Sequence, residues 1–139
     1  MLREFNSYLQ AIAPGDSMEG RIEELVDLSL GARPVCSCRI AERGGDACGY
    51  VAYHPGVWEI YKAVHVVSLF VKPDARRCGV GQQLMEEVRA QARENGAERI
   101  VWFVWKRNPA ATAFYEKLGA QIFDDNHLMA WAVDGRAVD

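Results

Sequence analysis

The residues with the most chemical content are Arg76-Arg77-Cys78-Gly79-Val80-Gly81-Gln82. Two glycines one residue apart let a backbone turn tightly and come close to another group. Just beyond them, Leu84, Val88 and Ala92 fall on one helical stripe, with Glu86, Glu87, Arg89, Arg93 and Glu94 elsewhere. A helix that opens on such a turn has backbone N–H groups without partners in its first turn. Its aligned peptide dipoles add positive potential there. Glycine lets an anion come near enough to use those donors, and Arg76 and Arg77 add formal charge at the same place. The pattern describes a site for a phosphate or pyrophosphate over residues 77–82 and does not by itself name the ligand. A Walker A loop would need Lys and then Ser or Thr where Gln82-Gln83 stand. A Rossmann loop would need a third glycine where Leu84 stands. A plain strand–turn–helix corner with two surface arginines is the structural alternative. Cys78 at a helix N-terminus could serve as a nucleophile; the preferred reading is a small tolerated side chain whose backbone matters more.

The elements that position this turn follow from patterning. Residues 64–71 read as a strand buried on both faces, with Val64, Val66, Ser68 and Phe70 on one parity and His65, Val67, Leu69 and Val71 on the other. Lys72-Pro73-Asp74 stops it, and Asn95-Gly96 ends the helix. Upstream, Leu2, Phe5, Leu9 and Ile12 form a first helical stripe, and a second helix starts near Ser17 and closes by Gly31. Residues 35–43 and 47–53 read as a hairpin around Gly44-Gly45-Asp46, after which His54-Pro55-Gly56 leaves the sheet. Residues 99–105 form a second strand apolar on both faces. Asn108 caps a helix with Pro109 at its first position, running to about Leu118 with Ala110, Phe114 and Leu118 buried. Residues 122–123 and 128–133 read as closing strands around Asp124-Asp125-Asn126. The result is an α/β (mixed α+β) single domain over residues 1–139, with helices over a sheet.

Composition limits the partners. The chain has 139 residues, is 50% hydrophobic and carries net charge −3, so disorder is disfavoured and a nucleic-acid partner is not expected. No stretch approaches the roughly 18 apolar residues of a membrane span, so no membrane partner is expected. Arg3 and Glu4 interrupt the N-terminus before an apolar run forms, so no secretory leader is expected. Cys36, Cys38, Cys48 and Cys78 make no C-x-x-C pair and have no histidine at zinc-finger spacing. Reduced thiols in a cytoplasmic protein without a metal are the expectation.

Arg76-x-x-Gly79-x-Gly81 after a strand ending Phe-Val-Lys-Pro-Asp resembles the acetyl-CoA pyrophosphate loop of the GNAT N-acetyltransferase superfamily. The stretch Asn108-Pro109-Ala110-Ala111-Thr112-Ala113-Phe114-Tyr115-Glu116-Lys117-Leu118-Gly119-Ala120 resembles its second signature, in the same order and at a similar separation. The likeness covers roughly residues 47–131. It implies the GNAT fold, a mixed sheet with splayed central strands and helices on both faces, here with an atypical helical N-terminus. It implies acetyl-CoA as cosubstrate, its pantetheine arm pairing with Leu69, Phe70 and Val71 and also held by Asn108. The pyrophosphate would take N–H groups from Arg77, Cys78, Gly79, Val80, Gly81 and Gln82, beside Arg76. Dimerisation is common in that superfamily, so a homodimer is expected.

The resemblance also assigns chemistry to Tyr115. Acetyl transfer from a thioester to an amine needs a neutral amine, a polarised carbonyl and a proton for the leaving thiolate. A phenol, with an ordinary pKa of about 10, can give that proton when placed at the sulfur. Packing beside Phe114 is the structural alternative for Tyr115. Oxyanion stabilisation would come from a backbone N–H of residues 69–71. Some members carry a glutamate on the central strand as base, whereas Val66, Val67 and Ser68 stand there in this chain. Glu59, His65, His127 or a water held by Ser68 could substitute. Residues 49–71 are similar in length and aromatic content to the polyamine acetyltransferase branch. Glu59, Asp124 and Asp125 with Trp58, Tyr61, Trp105 and Trp131 could form an acidic, aromatic acceptor cleft, or be surface acids and core aromatics. The leading expectation is an N-acetyltransferase acting on a small-molecule or peptide amine. The alternative is a catalytically degenerate acyl-CoA sensor; a nucleotide-phosphate binder is disfavoured by the missing Lys-Ser/Thr.

Overall fold

The computed structural model describes residues 26–29, 31–123, 129–130 and 132–133. By contacts the chain divides into two compact units, Met1–Asn108 and Pro109–Asp139. The first carries a four-stranded mixed sheet in the order β1-β2-β3-β4. Its strands are β1 Ser37–Arg43, β2 Asp46–Trp58, β3 Tyr61–Val71 and β4 Arg99–Val101. A short 3-10 turn, Pro73–Ala75, and helix α1, Val80–Glu94, connect β3 to β4. The second unit carries helix α2, Pro109–Lys117. Residues 26–29 are helical, inside the second helix expected near the N-terminus; the stripe over residues 2–12 lies outside the described residues.

Two antiparallel hairpins build most of the sheet. Arg43 pairs with Asp46 across Gly44-Gly45, whose φ values of 61° and 88° match the double left-handed requirement of a I′ turn. Trp58 pairs with Tyr61 across Glu59-Ile60. Glu59 takes φ 54° at the first turn position, as a II′ turn requires. Contrary to expectation, His54-Pro55-Gly56 does not leave the sheet. Pro55 pairs with Val64 and Gly56 with Ala63. The reason lies in β1, whose pairing with β2 stops at Ser37↔Tyr53. From residue 54 onward β2 has, among the described residues, a strand on one side only, and there a proline's missing N–H costs little.

The parity expected for β3 also changes. Ala52 pairs with Ser68 and Tyr53 with Val66, so Val67 is an extra residue with no opposite number. This bulge shifts the alternation by one. A side chain at Gly49 would meet Leu84 and Val71, so Val71 faces α1, and by the register Leu69, Val66 and Val64 join it. Ser68, Phe70 and His65 share the opposite face. The core reflects both sides: Val51, Val64 and Val88 are fully buried between sheet and α1, and Tyr50, Ala52 and Phe70 cluster on the far face with Cys36 and Cys38 against them. Helix α1 buries Val80, Leu84, Met85, Val88 and Ala92, the stripe its spacing announces. Asn95 caps its end, donating from Nδ2 to the Gln91 carbonyl at 2.9 Å.

Three expected elements are corrected. The strand over 99–105 shrinks to Arg99–Val101, because its parallel partner bulges at Val67 and the ladder has only the rungs Ala63↔Arg99, Val64↔Ile100 and His65↔Val101. Residues 122–123 are not strand, and Ile122 and Phe123 are exposed. Of the segment 128–133, residues 129–130 and 132–133 are not strand either; Asp124-Asp125-Asn126 lies outside the described residues. Of the stripe expected to be buried from Ala110 to Leu118, Ala110 is exposed, and Phe114 in α2 and Leu118 just after it are half-buried rather than buried. Among the described residues no helix is long and apolar enough to cross a membrane, and no three metal-ligating side chains cluster.

Candidate functional site

The bulge and the short β4 together create an open edge. β3 and β4 run parallel only to His65↔Val101, after which β4 ends and β3 continues to Val71. Among the described residues no strand runs beside residues 68–71 on that edge. Leu69 and Val71 are half-buried and Phe70 is buried. An extended, amide-containing ligand could pair with backbone groups there as an added strand would.

At the end of that edge the chain turns into α1. Lys72 N–H donates to the Cys48 carbonyl at 2.9 Å, which ties the strand end to the start of β2. Arg76 is extended, and its Nε donates back to the Val71 carbonyl at 2.9 Å. Its guanidinium lies 5.9 Å from the centre of the Phe70 ring. Arg77 takes φ 60° and Gly79 φ 82°, both left-handed, while Cys78 between them does not. A bulky residue at positive φ is a local strain that surrounding structure must impose. Gly79 is the N-cap of α1 and supplies no capping side chain, and no acid stands in the first turn. The space a Cβ at Gly79 would occupy is empty to 4 Å. The first intrahelical donor is Gln83, to the Gly79 carbonyl at 2.9 Å. The amides of Val80, Gly81 and Gln82 therefore stand at the helix start with the positive end of the dipole and with exposed Arg76, Arg77, Cys78 and Gln82 around them. These features fit a phosphate-bearing ligand.

One basic residue at the turn was missed by sequence reasoning. Arg43, at the end of β1, makes a side-chain hydrogen bond to Cys78. That bond and the electrostatic influence of the Cys78 sulfur hold the guanidinium above its ordinary range, with Cys48 and Asp74 adding and burial opposing. The available signal was indirect: an arginine directly before a Gly-Gly turn ends a hairpin whose second strand begins beside the glycine turn.

The remaining candidates have clear local settings. Asn108 precedes α2, and its N–H donates to the Trp105 carbonyl at 2.8 Å. Tyr115 lies on α2 in the second unit, half-buried, its ring edge-on to Phe114 at 5.0 Å. Ser68 Oγ donates to the Tyr50 hydroxyl at 3.3 Å. Burial pushes the Tyr50 phenol up to about 12, against the lowering effect of that bond and with a small addition from Cys38. His65 Nε2 lies 3.1 Å from the Val57 carbonyl and must carry the proton there; its ring stacks on His54 at 5.1 Å. Glu59 is exposed at a hairpin tip. Two of the aromatics considered for a cationic acceptor already carry an arginine, Arg99 over Tyr61 at 4.5 Å and Arg107 over Trp105 at 4.8 Å. Asp124, Asp125, His127 and Trp131 lie outside the described residues. All four cysteines are free.

The sheet, the parted parallel pair and the glycine turn define a fold in which an open strand edge leads into an uncapped helix start. The model of the acetyltransferase (GNAT) family matches residues 3–120, and the chain belongs to that family. It is similar to the L-ornithine N5-acetyltransferase of Arabidopsis thaliana, 31% identical over 94 residues that cover 66% of this chain and 41% of that protein. It is also similar to the D-amino-acid N-acetyltransferase of Saccharomyces cerevisiae, 34% identical over 76 residues covering 53% and 47%. The chain thus spans less than half the length of these two relatives. The solved structure of AAC(6')-Iy with the bisubstrate analog CoA-S-monomethyl-acetylneamine shares the fold, with TM-score 0.65 at 18% identity over 88% of this chain and 84% of that one.

Proposed function

We propose that this chain is an acetyl-CoA-dependent N-acetyltransferase that acetylates a primary amine of a small molecule or peptide by direct attack in a ternary complex. The carrying observation is the helix start at Gly79, uncapped and free of acid, at the end of a strand edge left open by β4. Acetyl-CoA supplies the acetyl group as a thioester. On this reading the amides of residues 77–82 hold the pyrophosphate, with Arg76 and Arg77 adding charge. Leu69, Phe70 and Val71 orient the pantetheine arm through their backbone, and Asn108 adds a hydrogen bond to it. A backbone N–H of residues 69–71 stabilises the developing oxyanion. Tyr115 gives its hydroxyl proton to the leaving sulfur. Residues 1–139 work as one GNAT domain, in a cytoplasmic homodimer that needs no metal.

A second reading, an acyl-CoA sensor without turnover, draws support from the candidate bases. Ser68 and His65 already make hydrogen bonds within the sheet, and Glu59 sits at a hairpin tip. One experiment separates the two. Thiol release from acetyl-CoA is followed across a panel of amines, with Tyr115→Phe in parallel. Release with one class of amine, reduced about 10²-fold or more in the mutant, is the expected result. Binding of acetyl-CoA with no release across the panel would favour the sensor. Absence of both binding and release would overturn the acetyl-CoA site itself.

A further inference from the structure

The end of β1 and the glycine turn lie at the same end of the sheet. Arg43 is the last residue of β1 and pairs with Asp46 across the Gly44-Gly45 turn. The first residues of β2 lie beside the last of β3, with Gly49 opposite Val71 and Lys72 bonded to the Cys48 carbonyl. The glycine turn begins a few residues later. The Arg43 side chain is exposed and crosses to it, donating a hydrogen bond to Cys78. A cysteine sulfur is a weak acceptor, and it uses little of a guanidinium with five N–H donors. Among the described residues Arg43 makes no ion pair; Asp74 attracts it without closing one. Arg76 differs, because its Nε is already committed to the Val71 carbonyl.

We propose that Arg43 is a specificity-determining residue of the cofactor site, binding the 3′-phosphate of acetyl-CoA while the glycine turn binds the pyrophosphate. The assignment rests on the acetyl-CoA reading above. The amides at the start of α1 converge on one anionic group. CoA carries a second, separate one on its ribose, and a side chain reaching in from a neighbouring element is suited to meet it. A phosphate oxygen is a far better acceptor than sulfur, and the planar fork of arginine matches phosphate geometry. Ligand entry would exchange the Arg43–Cys78 contact for an Arg43–phosphate contact. Arg77 would share the positive field, and Asp74 and Asp46 would oppose it.

The test is a calorimetric comparison of acetyl-CoA with 3′-dephospho-acetyl-CoA on the full chain. It uses the wild type, Arg43→Ala and Arg43→Lys, each first shown by thermal melting to be folded. The wild type should prefer acetyl-CoA by about tenfold or more. Arg43→Ala should bring that ratio to about threefold or less, leaving affinity for the dephospho ligand unchanged, and Arg43→Lys should recover part of it. A ratio unchanged in Arg43→Ala overturns the assignment. Equal weakening of both ligands also overturns it, pointing to pyrophosphate or to turn geometry instead. Failure of the wild type to bind either ligand overturns the acetyl-CoA reading, and the assignment with it.

Discussion

The two halves of β3 are alike in composition and opposite in employment. Residues 61–66 hold Ala63, Val64 and Val66 in the core, and residues 63–65 have strands on both edges. Residues 68–71 hold an equally apolar set, Leu69, Phe70 and Val71, but β4 has ended beside them. Val67, the bulged residue, separates the halves and is itself well exposed. Hydrophobicity therefore does not distinguish backbone paired on both edges from backbone paired on one edge in this strand. The count of neighbouring strands differs, and one inserted residue sets that count.

Substitutions in β3 and around it ought to sort by half. Val64→Ala, at 1% exposure, removes two methyl groups from a site with little room to collapse. It should cost about 2–3 kcal/mol of stability by denaturant unfolding, with acetyl-CoA affinity of the folded protein within about twofold of wild type. A large affinity loss at unchanged stability would erase the distinction between the halves. A second measurement reaches the far face of the C-terminal half through Tyr50, which pairs with Phe70 and accepts from Ser68. Its folded pKa is raised from 10.0 to about 12, so the fold favours the neutral phenol. That contribution is fully present below about pH 10 and is lost as pH rises toward 12. Unfolding measured from pH 9 to 12 should show an alkaline loss of up to about 2 kcal/mol, which Tyr50→Phe flattens. Arg76→Ala should raise the Kd for acetyl-CoA about tenfold, or about 1.4 kcal/mol, and change stability by less than about 0.5 kcal/mol, since the residue is exposed. Stability loss without affinity loss would make Arg76 a strand-end brace only. The smallest effect belongs to the hairpin tip. Ile60→Ser, at 87% exposure, should leave stability within about 0.5 kcal/mol and acetyl-CoA affinity unchanged.

What the sequence disclosed and what it hid divide along the same line. The glycine turn, the α1 stripe, Asn95-Gly96 and the α2 start at Pro109 were legible because each depends on a few adjacent residues and on backbone donors that need local partners. The bulge was not, because Val66-Val67 continues an apolar run whichever residue is extra. The short β4 followed from that bulge in another strand, so residues 102–105 looked like strand in isolation. Pro55 looked like a strand end because its tolerance depends on where β1 stops. Arg43 was missed for the same kind of reason, its contact with Cys78 being set by strand pairing rather than by spacing.

The three-rung parallel ladder also bears on the order of assembly. β1–β2 and β2–β3 are closed by two-residue turns, so their loop-closure entropy is small and their pairing is local. β4 instead returns after the whole of α1 and, among the described residues, pairs with β3 at Ala63, Val64 and His65. Such a contact is expected to form late and to open early under native conditions. Amide exchange should be fastest to reach Arg99–Val101 among the strands, so the open end of the β3–β4 pair can loosen while the two hairpins and α1 stay shut.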